Sequence, residues 1–199
     1  MVHSSDTFEL QKGDALIIVD MQQDFLPGGA LAVPHGDAVI PVINRYAAEF
    51  SRRGLPVFAT RDWHPPDHCS FQEQGGPWPP HCVAETPGAQ FPPALKLPED
   101  TIIIHKATSP APDAYSGFQG TDLEALLRER GCRRVFVCGL ATDYCVRATV
   151  LDALKADFDA VLLEDAVRPV DVKPGDGERA IQEMKAAGAR TASSTRILA

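Results

Sequence analysis

The sequence predicts a three-layer α/β fold, a doubly wound and mostly parallel sheet of about six strands with helices on both faces. Three observations predict it. Short apolar runs recur at Ala15–Val19, Leu55–Thr60, Thr101–His105, Val135–Cys138 and Ala160–Leu163, and several lack the alternation of a half-exposed strand. Segments with helical periodicity fill the spaces between them. A chain of 199 residues, 44% of them hydrophobic, is long enough for one substantial core. Residues 1–199 therefore read as a single domain, with no internal repeat and no linker.

The elements follow in order. A polar lead-in covers 1–13, and Ala15–Val19 ends at Asp20. The loop MQQDFLPGGALAVPHG is too rich in Pro and Gly for regular structure. Asp37 is placed to cap a helix with apolar positions Val39, Ile43, Tyr46, Ala47 and Phe50, stopped by Gly54. Leu55–Thr60 runs into Arg61-Asp62, and Thr101–His105 ends at Lys106. Thr121 and Glu124 form a capping-box pattern for a helix ended by Gly131. After Val135–Cys138, Gly139 breaks the strand. Thr142 is then placed to cap a helix whose apolar face is Val146, Val150, Ala153 and Leu154. A fifth strand at Ala160–Leu163, a helix from Asp176 to Ala187 stopped by Gly188, and a short sixth strand at Ala189–Ala192 complete the pattern.

A net charge of −8 argues against nucleic acid or an anionic membrane as partner. The N-terminal MVHSSDTFELQKGD has neither a basic start nor an apolar stretch, so no secretory leader is expected, and no run approaches a membrane span. Five scattered cysteines without a CxxC pair read as reduced thiols in a cytoplasmic protein. Whether copies of the chain associate is left open.

Residues 62–98 are dense in Pro and Gly and can hold little helix or sheet. Yet they carry Trp63, Trp78, Phe71, Phe91, Cys69, Cys82 and three histidines. That composition argues against disorder, and a metal is the expected means of ordering the loop. Asp62 and His64 alternate by two, so an extended segment projects both to one side, and His81 can fold back over them. A carboxylate with two imidazoles suits zinc, iron or manganese and leaves positions open, with Glu73 and His68 as alternatives for a fourth ligand. His3, His35 and His105 read as ordinary solvated residues.

In a doubly wound sheet the ligand crevice lies beyond the carboxyl ends of the strands. Here successive strands deliver Asp20, Asp62, Lys106 and the turn leading to Cys145. With Thr142 as cap, Cys145 falls in the first helical turn, where free N–H groups are expected to lower its pKa and to hold an oxyanion. A thiol, an acid able to take its proton and a cation are the parts of nucleophilic catalysis. A rival oxidoreductase reading rests on Gly175-Asp176-Gly177. It fails because that run follows Pro174 near the C-terminus instead of closing the first strand.

The motifs carry a resemblance over nearly the whole chain. D-M-Q-x-D-F at Asp20–Phe25, R-D-W-H at Arg61–His64, W-P-x-H-C at Trp78–Cys82, H-K at His105-Lys106 and G-x-A-T-D-x-C-V at Gly139–Val146 resemble the isochorismatase-like cysteine hydrolases, specifically their nicotinamidase branch. The resemblance implies hydrolysis of nicotinamide, and of pyrazinamide, through a thioester. It implies Asp20, Lys106 and Cys145 as catalytic triad, and Ala141 and Cys145 N–H groups as oxyanion hole beside a cis Leu140–Ala141 peptide. It implies Asp62, His64 and His81 as ligands of one divalent ion, zinc foremost, that binds the pyridine nitrogen. Phe25, Trp78 and Tyr115 would line the ring pocket. It does not decide between Glu73 and His68. The alternative is another small-molecule amidase of the same superfamily, an N-carbamoyl or ureido hydrolase, which would keep the triad without needing the metal loop.

Overall fold

The computed structural model describes residues 8–197. Its six-stranded sheet is formed by β1 (Asp14–Val19), β2 (Val57–Asp62), β3 (Ile102–Lys106), β4 (Arg134–Leu140), β5 (Asp159–Arg168) and β6 (Arg190–Ala192), in the order β3-β2-β1-β4-β5-β6. Every pairing is parallel. The order reverses direction between β1 and β4, which is where a doubly wound sheet opens a crevice.

Burial explains why β1 and β4 read as uninterrupted apolar runs. Leu16 and Ile18 belong to one core, with Ile43, Tyr46 and Phe50 of α1 (Ile40–Arg52). Ala15, Ile17 and Val19 belong to the other. There they meet Leu123 and Leu127 of α2 (Leu123–Glu129), Val150 and Ala153 of α3 (Arg147–Lys155) and Met184 of α4 (Asp176–Ala186). A short α5 (Ser194–Ile197) returns Ile197 to the first core.

Three helix starts differ from expectation. Asp37 lies inside a 3₁₀ turn (Gly36–Val39), and α1 begins after it with Pro41 in its first turn. Glu124 pairs with Arg128 one turn on instead of reaching back, while Thr121 Oγ1 accepts the Leu123 N–H at 3.3 Å, the half of the capping box that forms, and donates to the Gly117 carbonyl at 2.6 Å. Thr142 is not a cap but the first residue of a π-type turn, Thr142–Val146, that leads into α3, and its buried hydroxyl has no partner. β5 also runs past Leu163 to Arg168 because Asp165 is used. Its carboxylate accepts the Tyr46 hydroxyl at 2.8 Å and the Ser194 N–H at 2.8 Å. The polar lead-in lies outside the described residues up to residue 7, including His3. Among the described residues no helix is long and apolar enough to cross a membrane.

Gly139 allows β1 and β4 to approach at the crevice. Its φ is +112°, and a Cβ there would lie 2.1 Å from the Val19 carbonyl oxygen, a backbone atom that cannot rotate away. Gly54 also has positive φ, +67°, but faces open space. Gly139→Ala is therefore expected to lose roughly 3 kcal/mol or more of stability. Gly54→Ala should lose only about 1 kcal/mol. Urea unfolding midpoints check this, and equal losses at the two sites would contradict the close-approach argument.

Candidate active site

Four neighbouring strands deliver the candidate residues in sheet order. β3 ends in Lys106, β2 in Asp62 and β1 runs into Asp20, while β4 leads through Ala141 to Cys145. Lys106 and Asp62 are direct cross-strand partners. Asp20 has φ +47°, which turns the chain out of β1, and its N–H still reaches the Thr60 carbonyl at 3.2 Å. The chain's alternation thus brings two acids, an ammonium and a thiol to one buried point.

Lys106 is the hub. Its Nζ ion-pairs with Asp62 and with Asp20 Oδ2 at 3.0 Å, donates to the Ala114 carbonyl at 3.1 Å, and lies 3.5 Å from Cys145 Sγ. Three N–H donors thus face four acceptors. Burial alone would pull this ammonium's pKa down, but Asp20 and Asp62 outweigh it and hold it well above the ordinary lysine value. Asp62 shows the reverse balance. Burial pushes it up, and Lys106 followed by His64 brings it below the usual carboxylate range.

Asp20 is raised by burial, with Lys106 opposing and Asp62 adding to the rise. Its Oδ1 accepts the Thr60 hydroxyl at 2.6 Å, whereas Oδ2 has no well-directed hydrogen bond and keeps a lone pair free for a proton. Asp20, Asp62 and Cys145 each place one ligand atom within 4.8 Å of the others.

The Cys145 thiol is pushed well above its ordinary value by burial, with Lys106 opposing and the two carboxylates adding. This corrects the expectation of a lowered pKa at a helix start, because desolvation outweighs the partial charges of the turn. The Leu140–Ala141 peptide is cis, as the family resemblance implies. The Ala141 carbonyl takes the N–H groups of Tyr144 and Val146, both at 3.1 Å, the residues on either side of Cys145.

Asp62, His64 and His81 bring one ligand atom each within 4.8 Å of one another, and all three residues are buried. His81 Nδ1 contacts the Pro79 carbonyl at 2.8 Å and His64 Nδ1 the Ala107 carbonyl at 3.3 Å, and His64 Nε2 lies 3.6 Å from Asp62 Oδ2. Carbonyl partners of this kind fix the tautomer that offers a lone pair to a metal. Glu73 sits on an exposed 3₁₀ turn (Gln72–Gln74), outside that group. His68 is fully buried and stacked on His64 at 4.0 Å, with Nδ1 2.7 Å from the Ser70 hydroxyl and Nε2 unpartnered. His35 and His105 are exposed.

Phe25, Trp78 and Tyr115 line one cleft with Cys145, Asp62, His64 and His81, and Tyr144 joins them. Trp78 Nε1 donates to the Tyr115 hydroxyl at 2.9 Å, and both rings lie within 5.7 Å of Tyr144. Sequence reasoning gave no role to Tyr144, Gln22, Asp24 or Asp143. Asp143 is buried, and its carboxylate accepts the N–H groups of Val170 and Asp171, each at 2.9 Å, which pins the chain after β5 over the cleft. In A-T-D-Y-C it reads as one more polar residue in a first helical turn, so composition offered no signal.

Fold and site together define a doubly wound α/β protein equipped for thiol-based hydrolysis. Residues 14–196 match the isochorismatase domain, and the chain belongs to the isochorismatase family. It is 41% identical over 196 residues to the nicotinamidase of Escherichia coli (strain K12), a match covering 88% of this chain and 92% of that protein. Among solved structures it resembles the pyrazinamidase of Pyrococcus horikoshii in complex with zinc, at TM-score 0.87 and 57% identity over 91% of this chain and 99% of that one. It also resembles PnC1 from L. infantum in complex with nicotinate, at TM-score 0.87 and 42% identity over 94% and 95% of the two chains.

Asp20 places a carboxylate oxygen within 4.8 Å of the Cys145 sulfur, where it would act as acceptor for the thiol proton. Iodoacetamide should therefore label Cys145 ahead of Cys82, Cys132 and Cys138, and Asp20→Asn should slow that labelling at least about tenfold. Peptide mass spectrometry reads the order. Equal rates in the two proteins would remove Asp20 from the role.

Proposed function

We propose that this protein is a nicotinamidase that hydrolyses nicotinamide to nicotinate and ammonia, and that it also accepts pyrazinamide. One observation carries the reading. Cys145, with Asp20 and Lys106 buried behind it, and the three donors Asp62, His64 and His81 line the same aromatic cleft. Thiol-based amide hydrolysis uses the first group, and holding a heteroaromatic ring by its nitrogen uses the second.

In this reading Oδ2 of Asp20 takes the Cys145 proton and Sγ attacks the carboxamide carbon. The carbonyl π electrons move onto oxygen, which the N–H groups of Ala141 and Cys145 receive. Asp20 returns the proton to the amide nitrogen, the C–N bond breaks and ammonia leaves a thioester. Water then gives a proton to Asp20 as its oxygen adds to the thioester carbon. The C–S bond breaks, nicotinate departs and the proton goes back to sulfur. Lys106 holds Asp20 in place throughout and limits the rise of its pKa.

A divalent ion would be held by Asp62, His64 and His81. When bound it supplies a Lewis-acidic position for the ring nitrogen. The support for that fit is the donor chemistry, a buried carboxylate with two imidazoles whose Nδ1 atoms are already engaged. Zinc is the first candidate, with iron or manganese as alternatives. For a fourth protein ligand neither alternative joins the three donors: Glu73 is exposed, and His68, though buried, lies outside the group with its Nε2 3.9 Å from Asp113 Oδ1. Phe25, Trp78 and Tyr115 would sandwich and edge the ring.

The same reading makes residues 1–199 one hydrolase domain with a metal-binding loop at 62–98. It places the enzyme in the cytoplasm with a small molecule, and not nucleic acid or membrane, as partner. Five unpaired cysteines and the −8 charge support this.

Ammonia release from nicotinamide by metal-replete protein is the test. Cys145→Ala should abolish it with the fold intact, and Asp20→Asn should lower kcat by about 10²–10⁴-fold. The double variant should be little worse than the poorer single one, because parts of one machine do not add. Stripping the metal should remove turnover, and readdition should restore it. A metal-free protein with full activity would return the N-carbamoyl and ureido hydrolases to contention.

A further inference from the structure

β1 and β2 pair as far as Ile18 and Ala59, and then Asp20 turns the chain away. Asp62, at the end of β2, is left facing a gap where its neighbour strand should be. A buried peptide group there needs partners, since leaving it unpaired costs as much as a lost hydrogen bond. Gln22 fills the gap. Its Oε1 accepts the Asp62 N–H at 2.8 Å, and its Nε2 donates to the Asp62 carbonyl at 2.8 Å. The second Nε2 proton goes to the Ala89 carbonyl at 2.9 Å, and the side chain is fully buried. A side-chain amide thus imitates one rung of a strand and grips Asp62 through both of its backbone groups.

We propose that Gln22 is a positioning residue that sets the Asp62 carboxylate for metal binding. This rests on the reading of Asp62, His64 and His81 as the metal group. Asp62 divides its two oxygens. One pairs with Lys106, and Oδ2 lies 3.6 Å from His64 Nε2 on the side where the imidazoles converge. Rotation or retreat of the Asp62 backbone would let both oxygens turn to Lys106, and the metal group would lose its carboxylate. The amide clamp opposes that movement directly. Its third bond, to Ala89, holds the far part of the 62–98 loop to the same point. Gln23 makes a formal comparison. Its Nε2 donates to the Pro87 carbonyl at 3.0 Å, so it tethers the same loop, but it is exposed and touches no part of Asp62.

The test is zinc affinity of the full chain, stripped and titrated against a chromophoric chelator, in wild type, Gln22→Met, Gln22→Asn and Gln23→Ala. Gln22→Met keeps the volume and loses every bond. Gln22→Asn keeps the amide but falls one methylene short. Both are expected to weaken zinc binding by about 10–100-fold, the usual effect of residues that orient a metal ligand. Gln23→Ala should match wild type, which a general loosening of the loop would not allow. Circular dichroism of the metal-free proteins confirms which variants fold, and if Gln22→Met does not, Gln22→Asn alone decides. A loss of less than about fivefold in the folded Gln22 variants, or an equal loss in Gln23→Ala, overturns the assignment. Wild type that binds no zinc, iron or manganese defeats the metal group itself, a different failure visible before any variant is made.

Discussion

Everything at the crevice depends on one buried ammonium, Lys106, held between two carboxylates. Three ionisable groups with almost no exposure are costly to charge, and they are tolerable only because each satisfies another. Removing any one leaves an uncompensated charge, so the cluster is worth more as a constraint than as a source of stability. It sets the spacing of β1, β2 and β3 at their carboxyl ends and presents Nζ to Cys145 at 3.5 Å. The thiol's environment follows from that placement. Burial and the two acids push the thiol's pKa up, Lys106 works the other way, and Asp20 has one oxygen without a well-directed bond.

The division of labour between the acids also follows from their surroundings. Both are buried and both meet Lys106, yet one is raised and the other lowered. Asp62 has Lys106 and His64 beside it, and both favour its charged form. Asp20 has the Thr60 hydroxyl, the thiol and a repelling Asp62. A pair of carboxylates whose pKa values are pushed apart takes separate roles. The one held down suits a cation, and the one held up suits a proton in transit. Sheet order arranges this without any special residue, because β2 carries Asp62 between β3 with its lysine and β1 with Asp20.

The strands, the parallel order and the charged residue at each strand end were legible because buried parallel strands leave a plain signature. Apolar runs stop where the chain meets the crevice. Caps were not legible. Asp37, Thr142 and Glu124 all have the right chemistry for helix starts, but Asp37 falls inside a 3₁₀ turn, Thr142 opens a π-type turn and Glu124 pairs with Arg128 one turn on. The thiol's pKa was misread for a related reason. A helix start is visible in sequence, while the amount of protein packed over it is not. Gln22, Asp24 and Asp143 escaped notice because each acts on backbone more than 20 positions away, and a glutamine or aspartate in a loop gives no hint of that.

The long 62–98 loop is the place where sequence and structure ask to be weighed against each other. Its Pro and Gly content suggests that an ion must order it. The structure shows a second means, supplied by the segment just after β1. Gln22 ties Asp62 to Ala89, and Asp24 Oδ2 accepts the Cys82 N–H at 2.7 Å. Gly88 has to be glycine for this, because a Cβ there would lie 2.1 Å from the same Asp24 carboxylate. Bridges at His64–Val83 and Phe71–Trp78 close the loop on itself. The loop's two ends and middle are therefore fastened by protein groups, and those fasteners lie on either side of His81. An ion held by Asp62, His64 and His81 would then have little of the loop left to order. Its folding role would be confined to the three side chains it touches.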